Sequence, residues 1–250
     1  MRSRAITIPR EFARRVRAVA DREEGRRWPS PRWQNDPVGF AYYVLGAKLW
    51  SFQIEFLEAI RDHRHVAISG GRKIGKDFAV AAAAIWWYSS FHNARVFMLA
   101  PTGKQLNGVL YREIRMLWSG AGQCYDCKQS DPNGPRPCPH SSLLQGKVGE
   151  RAETGIKAPA PDFREILGAT AMSEGGLRGF SGARVLAIED EASDIKDDLD
   201  TALIGNLAGE DCTRVIISNP TRTVGFFFRA FHEEKALYKT LQVDTETNPN

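Results

Sequence analysis

The sequence predicts an α/β fold in which a mostly parallel central sheet is flanked by helices, and three observations lead there. From about residue 50 onward, short apolar runs alternate with longer stretches of helical spacing, the pattern of a parallel sheet covered on both faces. One apolar run, His65–Ser69, opens into the glycine-rich loop Gly70-Gly71-Arg72-Lys73-Ile74-Gly75-Lys76-Asp77. Another, Val185–Ile188, ends in Glu189-Asp190-Glu191. In open α/β sheets, sites form at the carboxyl ends of strands, so both runs lead to where a site belongs.

The expected strands are 64–69, 95–100, 164–169, 184–189, 213–218 and 238–243, and the expected helices are 51–62, 78–90, 104–118, 196–207 and 225–236. No internal repeat or low-complexity tract interrupts them. The start of the chain differs. Residues 1–35 carry ten arginines against Glu11, Asp21, Glu23 and Glu24, a local excess of +6, so with the chain at +4 the remainder is near −2. Phe12, Val16 and Val19 have helical spacing, and Trp28–Pro37 reads as an extended, proline-stiffened linker. The expected organisation is a basic arm and linker over 1–37, then one domain over 38–250 with a small Cys/His insertion at 119–146. The arm is a candidate contact for nucleic acid, with a solvated charged helix as the alternative.

Composition points to a soluble intracellular protein. Of 250 residues, 42% are apolar, enough to build the core of one large α/β domain. No apolar run reaches the length of a membrane span, so no membrane association is expected. The arginine-rich start lacks the apolar stretch of a secretory signal, and its acidic residues argue against an organelle transit peptide. Four cysteines do not make a disulfide scaffold at this size.

Gly70 and Gly75 bracket four residues and Lys76 follows, the spacing of a phosphate-binding P-loop. Glycines let the backbone wrap a polyphosphate with its N–H groups inward, and the following helix aims its positive end at the same charge. Lys76 would reach the β- and γ-phosphates. Asp77 stands where Ser or Thr usually ligates magnesium; its carboxylate can bind Mg²⁺ directly or through water, at the cost of negative charge near a triphosphate. Asp190, at the end of a buried strand, is placed to hold Mg²⁺, and Glu191 points differently and can polarise a water. A solvated acidic loop is the alternative, since Asp194, Asp197 and Asp198 follow.

The insertion carries Cys124-Tyr-Asp-Cys127 and Cys138-Pro-His140 among Pro132, Gly134, Pro135 and Pro137. Three thiolates and an imidazole match the ligands of a structural Zn²⁺ site, and the segment is too polar to form its own core. The closing Cys-x-His spacing is tight, and reduced cysteines in a loop are the alternative. Cys212 stands apart as a buried small residue.

Further short motifs fall in order. Gln53, in Trp50-Ser-Phe-Gln53, precedes the loop and could pair with an adenine edge. Ala100-Pro101-Thr102-Gly103-Lys104-Gln105 follows the second strand, Ser173–Gly182 presents Arg178 between glycines, and Ser218-Asn219-Pro220-Thr221 ends the fifth strand. In this order, from about residue 40 to the end, the motifs resemble the N-terminal ATPase domain of tailed-phage terminase large subunits, the motors that package viral DNA. The resemblance implies a P-loop NTPase of the additional-strand catalytic glutamate type. It implies ATP bound at Gln53, residues 70–77, Ser218 and Asn219, Mg²⁺ on Asp190, and Glu191 activating water. Ser218-Asn219 would couple hydrolysis to movement. Arg178, delivered to a neighbouring subunit, or Arg72, within its own, would act as an arginine finger; either could instead form a structural ion pair.

The resemblance further implies double-stranded DNA, a portal on a procapsid, a small terminase subunit and a homo-oligomeric ring as partners, in the host cytoplasm. Members of that family carry a C-terminal nuclease domain. This sequence stops about where the connection to it would begin, with Asp244 and Glu246 as linker residues, so the nuclease domain is expected to be absent and no DNA cleavage is expected. Two rival readings are a superfamily 2 type helicase fragment and a non-hydrolysing nucleotide- and DNA-binding module.

Overall fold

The computed structural model describes residues 28–71, 73–171, 181–207, 209 and 211–243. Its strands are β1 His65–Gly70, β2 Ala94–Ala100, β3 Lys147–Val148, β4 Ile156–Lys157, β5 Glu165–Thr170, β6 Arg184–Asp190, β7 Thr213–Ser218 and β8 Lys239–Val243. Its α-helices include α1 Pro37–Tyr43, α2 Ser51–Asp62, α3 Lys76–Ser90, α4 Tyr111–Gly120, α5 Tyr125–Ser130, α6 Asp197–Gly205 and α7 Phe226–Arg229. The strands form one sheet in the order β3-β4-β5-β2-β6-β7-β1-β8. From β5 to β8 every pairing is parallel, and β3 and β4 add an antiparallel edge.

The parallel strands are apolar on both faces, as a sheet covered on both sides requires. Val66, Ile68, Val96, Met98, Leu186, Ile188, Val215 and Ile217 face one core, shared with α1, α2, α3 and α4. Ala67, Phe97, Leu99, Val185, Ala187 and Ile216 face the other, closed by Leu203, Phe226 and Phe227. Helix α3 lies deep within the first core, with Ala79 to Ser90 buried throughout. Its alanines permit close approach to the sheet, and Trp86 and Trp87 fill the space at its far end. The additional-strand expectation holds in detail: β7 lies between the strand that leads into the glycine-rich loop and the strand that ends in the acids.

Several elements depart from the sequence reading. Residues 28–37, expected as an extended linker, pack into the domain. Trp33 is 2% exposed, its carbonyl accepts from Trp86 Nε1 at 2.6 Å, and Ser30 N donates to Ser89 O at 2.9 Å. Trp33 is buried and Trp28 is partly buried against the same core, and this packing outweighs the stiffness of the backbone around the prolines. Helix α1 begins at once, with Pro37 in its first turn and Asp36 Oδ1 accepting from Gly39 N at 2.7 Å. The helix expected over 104–118 is instead Gly103–Gln105, a π-turn at Leu106–Leu110, and α4. The helix expected over 225–236 ends at Arg229, which turns back to Glu234 and Asp197 at 2.9 and 2.8 Å. The two-residue strands β3 and β4 are too short to show any alternation. The basic arm, residues 1–27, lies outside the described residues. Among the described residues, no helix is long and apolar enough to cross a membrane.

Candidate active site

Register brings the carboxyl ends of three strands together. Ser69 on β1 pairs with Ser218 on β7, and Ile217 on β7 pairs with Asp190 on β6. Beyond β1 the loop folds over the strand end. A Cβ on Gly70 would lie 2.4 Å from Ile74 Cδ1, and Ile74 is 1% exposed, so this side chain anchors the loop. Gly75 has φ 76°, a left-handed conformation that glycine adopts without strain, and α3 starts at the next residue. Gly71 is partly buried, Lys73 is exposed with φ 65°, and Arg72 lies outside the described residues.

Lys76 is buried and reaches across to the acidic strand, its Nζ 3.2 Å from Glu191 Oε1. Glu191 itself has φ 49° and ψ 46°. A non-glycine residue in this region carries about 1–2 kcal/mol of strain, and such strain concentrates at functional sites. The twist turns the Glu191 side chain away from the line of β6, with its Oε2 accepting from Ser218 Oγ at 3.4 Å. Ser193 Oγ donates to Asn219 O at 2.9 Å, tying the turn after β6 to the end of β7.

Asp190 is fully buried. Its Oδ2 accepts from Gln105 Nε2 at 2.5 Å, and its Oδ1 has no partner among the described residues. Burial pushes its pKa up to about 7, against the pull of the Gln105 hydrogen bond and with a further push from Asp77 and Glu191. Burial likewise raises Asp77, whose Oδ1 is also buried without a partner among the described residues, as is Asn219 Oδ1. Hard oxygen donors left unpartnered in a dry site suit Mg²⁺, which takes one or two carboxylates and keeps several waters. The residues present therefore fit that ion, although Asp77, Asp190 and Glu191 do not gather into a tight three-ligand cluster.

Gln53 stands beside the loop. Its Nε2 donates to Gly75 O at 3.3 Å and its Oε1 accepts from Trp50 N at 3.4 Å. Both ends of its amide thus hold the start of α2 against the loop. Gln105 is the residue the sequence reading quoted without a role. It lies just before the π-turn, a feature that often marks functional sites in helices but that the sequence did not signal. Arg178 lies outside the described residues.

No protein-family model matches the sequence. The probable terminase large subunit of Enterobacteria phage P7 is 24% identical over 210 residues, which cover 81% of this chain and 40% of that protein. The large terminase of a thermophilic bacteriophage superposes with a TM-score of 0.59 at 12% identity, over 81% of this chain and 47% of that one. The ATPase domain of the Thermus phage P74-26 large terminase superposes with a TM-score of 0.54 at 18% identity, over 87% of this chain and 86% of that one. This is the fold of a phage large-terminase ATPase domain. The chain spans about two-fifths of the length of the terminase it matches in sequence. The large terminase of the thermophilic bacteriophage has been captured with ADP and with ATP-γ-S.

Beneath the acidic end of β6, this chain holds a buried ionic network that the sequence reading missed. Arg214 on β7 binds Glu189 Oε1 through Nε at 2.8 Å, Asp200 on α6 through Nη2, and the Tyr238 hydroxyl through Nη1 at 2.5 Å. Glu189 is fully buried and Arg214 is 2% exposed. Burial pushes the Glu189 pKa up to about 7 while Arg214 pulls it down. An arginine inside Thr213–Ser218 and a glutamate inside Arg184–Asp190 were visible, but only register makes them neighbours.

The cysteine insert packs at the other end of α4. The sulfurs of Cys124, Cys127 and Cys138 all lie within 4.8 Å of one another. His140, expected as the fourth ligand, is exposed and is not gathered into that set, though it lines the same pocket.

Proposed function

We propose that this chain is the ATPase motor domain of a DNA-packaging terminase. The observation that carries this reading is the meeting of Lys76, Glu191 and Ser218, from three strand ends, at 3.2 and 3.4 Å. A lysine paired to the glutamate of the acidic strand is a cation held where phosphate charge would replace the carboxylate. On nucleotide binding, Lys76 turns to the β- and γ-phosphates with the backbone of 70–77 around them. Glu191, released, accepts from the attacking water and orients it in line. Asp190, with Asp77 nearby, would hold Mg²⁺, which when bound would supply neutralisation of charge on the phosphates. Gln105 holds Asp190 in one rotamer. Gln53 sets the loop through Gly75 and offers its amide to adenine. Ser218 and Asn219 sense loss of the γ-phosphate, because the Ser218 hydroxyl rests on the residue that handles water. Arg178 from a neighbouring subunit, or Arg72 from within, supplies the finger.

Double-stranded DNA is the proposed load. A homo-oligomeric ring, a portal on a procapsid and a small terminase subunit are the proposed assembly, in the host cytoplasm. A structural Zn²⁺ in the cysteine insert is proposed as a second ion.

The deciding experiment is steady-state Mg²⁺–ATP hydrolysis with and without duplex DNA. Turnover stimulated by DNA is expected; ATP binding with no turnover under any condition would favour a non-hydrolysing module. Lys76→Ala is expected to weaken ATP binding by about 100-fold or more, since a buried charge-assisted contact is lost. Titration with a fluorescent nucleotide reads this, and unchanged affinity would refute the P-loop assignment. Gln105→Ala is expected to lower kcat by about 10–100-fold with little change in ATP affinity, the usual loss when a partner that orients a metal ligand is removed. A Mg²⁺ titration should show a raised requirement for the ion.

A further inference from the structure

We infer that the cysteine insert is a zinc-closed brace that fixes the turn after α1, and through it the segment leading to Gln53; this rests on the zinc reading of the insert. Three soft sulfur donors within 4.8 Å suit a tetrahedral Zn²⁺. Cys124 N donates to Cys138 Sγ at 3.3 Å, a contact that favours the thiolate. The insert has little apolar material of its own to close it. Helix α5 buries none of its residues, and Cys124 and Cys138 are the sulfurs turned inward. The cavity they line, about 480 Å³, also takes in Asp131 and His140, donors available for the remaining position.

What the insert grips is specific. Gly122 N donates to Val44 O at 3.0 Å, and Cys138 N donates to Gly122 O at 2.8 Å, so the third cysteine lies one hydrogen bond from the turn. The Tyr42 hydroxyl donates to Asp126 Oδ1 at 2.7 Å, and the Tyr42 and Tyr125 rings pack at 5.5 Å. Gly46 has φ 62°, and a Cβ there would lie 2.6 Å from the Gln123 carbonyl oxygen. The turn is therefore pressed against the residue that precedes Cys124. Four residues on, Trp50 N meets the Gln53 side chain, and Gln53 meets Gly75. The brace, the turn and the loop form one continuous chain of contacts.

The test uses the whole chain purified under reducing conditions without chelator. Metal analysis should find about one zinc per chain, and chelation should expose three thiols. Cys127→Ser should lose the zinc, whereas Cys212→Ser should keep it. On metal removal, amide exchange over residues 42–50 should rise on the order of tenfold while the strands of the sheet stay protected. Zinc near zero with freely reacting thiols, or two of the three cysteines joined as a disulfide, would overturn the site. Bound zinc whose removal leaves exchange over 42–50 unchanged would overturn the brace and leave the zinc reading standing. Neither readout depends on ATP hydrolysis.

Discussion

Glu191→Gln is expected to lower ATP turnover by about 100-fold or more while ATP affinity stays within about threefold, because positioned proton acceptors contribute roughly 10²–10⁴ in rate. The substitution keeps shape and removes charge. Glutamine can still accept from Ser218 Oγ, which stands 3.4 Å from Oε2, so the strained backbone at φ 49° keeps its side-chain contact. What it loses is the charge that pairs with Lys76 at 3.2 Å and that would polarise water. Freed from the carboxylate, Lys76 binds phosphate at least as well, so loss of turnover with retained or tighter binding is the expected signature. Asp190 makes the contrast. It is fully buried with one oxygen on Gln105, so Asp190→Asn should weaken the response to Mg²⁺ along with the rate. Equal turnover by wild type and Glu191→Gln would place the catalytic carboxylate elsewhere.

Arg214→Ala is expected to destabilise the fold by about 3–5 kcal/mol, the loss seen when one partner of a buried ion pair is removed. For a domain of this size, that corresponds to a fall in Tm of roughly 10 °C. Removal of the guanidinium leaves Glu189, with no exposure, and Asp200, 4% exposed, facing each other without a cation. Lysine should not rescue it, since three directed contacts need the planar fork. Replacing all three residues by apolar ones of similar volume should recover much of the loss.

The defect should depend on pH in a defined sense. Burial already holds Glu189 at about 7 against its ordinary 4.5, and loss of Arg214 removes the pull downward. A carboxyl whose folded pKa is raised favours the fold while it is protonated. That contribution fades as pH rises from about 4.5 through the raised value. The variant should therefore lag wild type more at pH 8 than at pH 5, in thermal melts across that range. A constant deficit would mean the acids are not what Arg214 serves.

Much of the site was legible because its parts are local. A glycine pair at fixed spacing before Lys76, and an apolar run ending in Asp190-Glu191, each mark a strand end and a part of the candidate site within a dozen residues. Gln105 was harder, since its partner is 85 residues away and a polar residue after Ala-Pro-Thr has many possible uses. Residues 28–37 misled because prolines signal extension locally, whereas Trp33 and Ser30 are held by contacts to α3 more than 50 residues on. His140 misled because composition supplies four ligands while geometry gathers three thiols.

The class of fold, the six long strands, the loop that suits phosphate and the acids that face it can all be read along the chain. Each depends on hydrophobic period or on the conformational freedom of glycine, properties a chain carries before it folds. Folding in three dimensions was needed to set β7 between β1 and β6, to bring Lys76 to Glu191 over Ser218, to pair Arg214 with Glu189 and Asp200, and to clamp the insert on the turn after α1. Those are matters of register and of which buried charge finds which partner. They are fixed only once the strands pair, when desolvation drives most buried polar groups to a neighbour that sequence distance does not reveal.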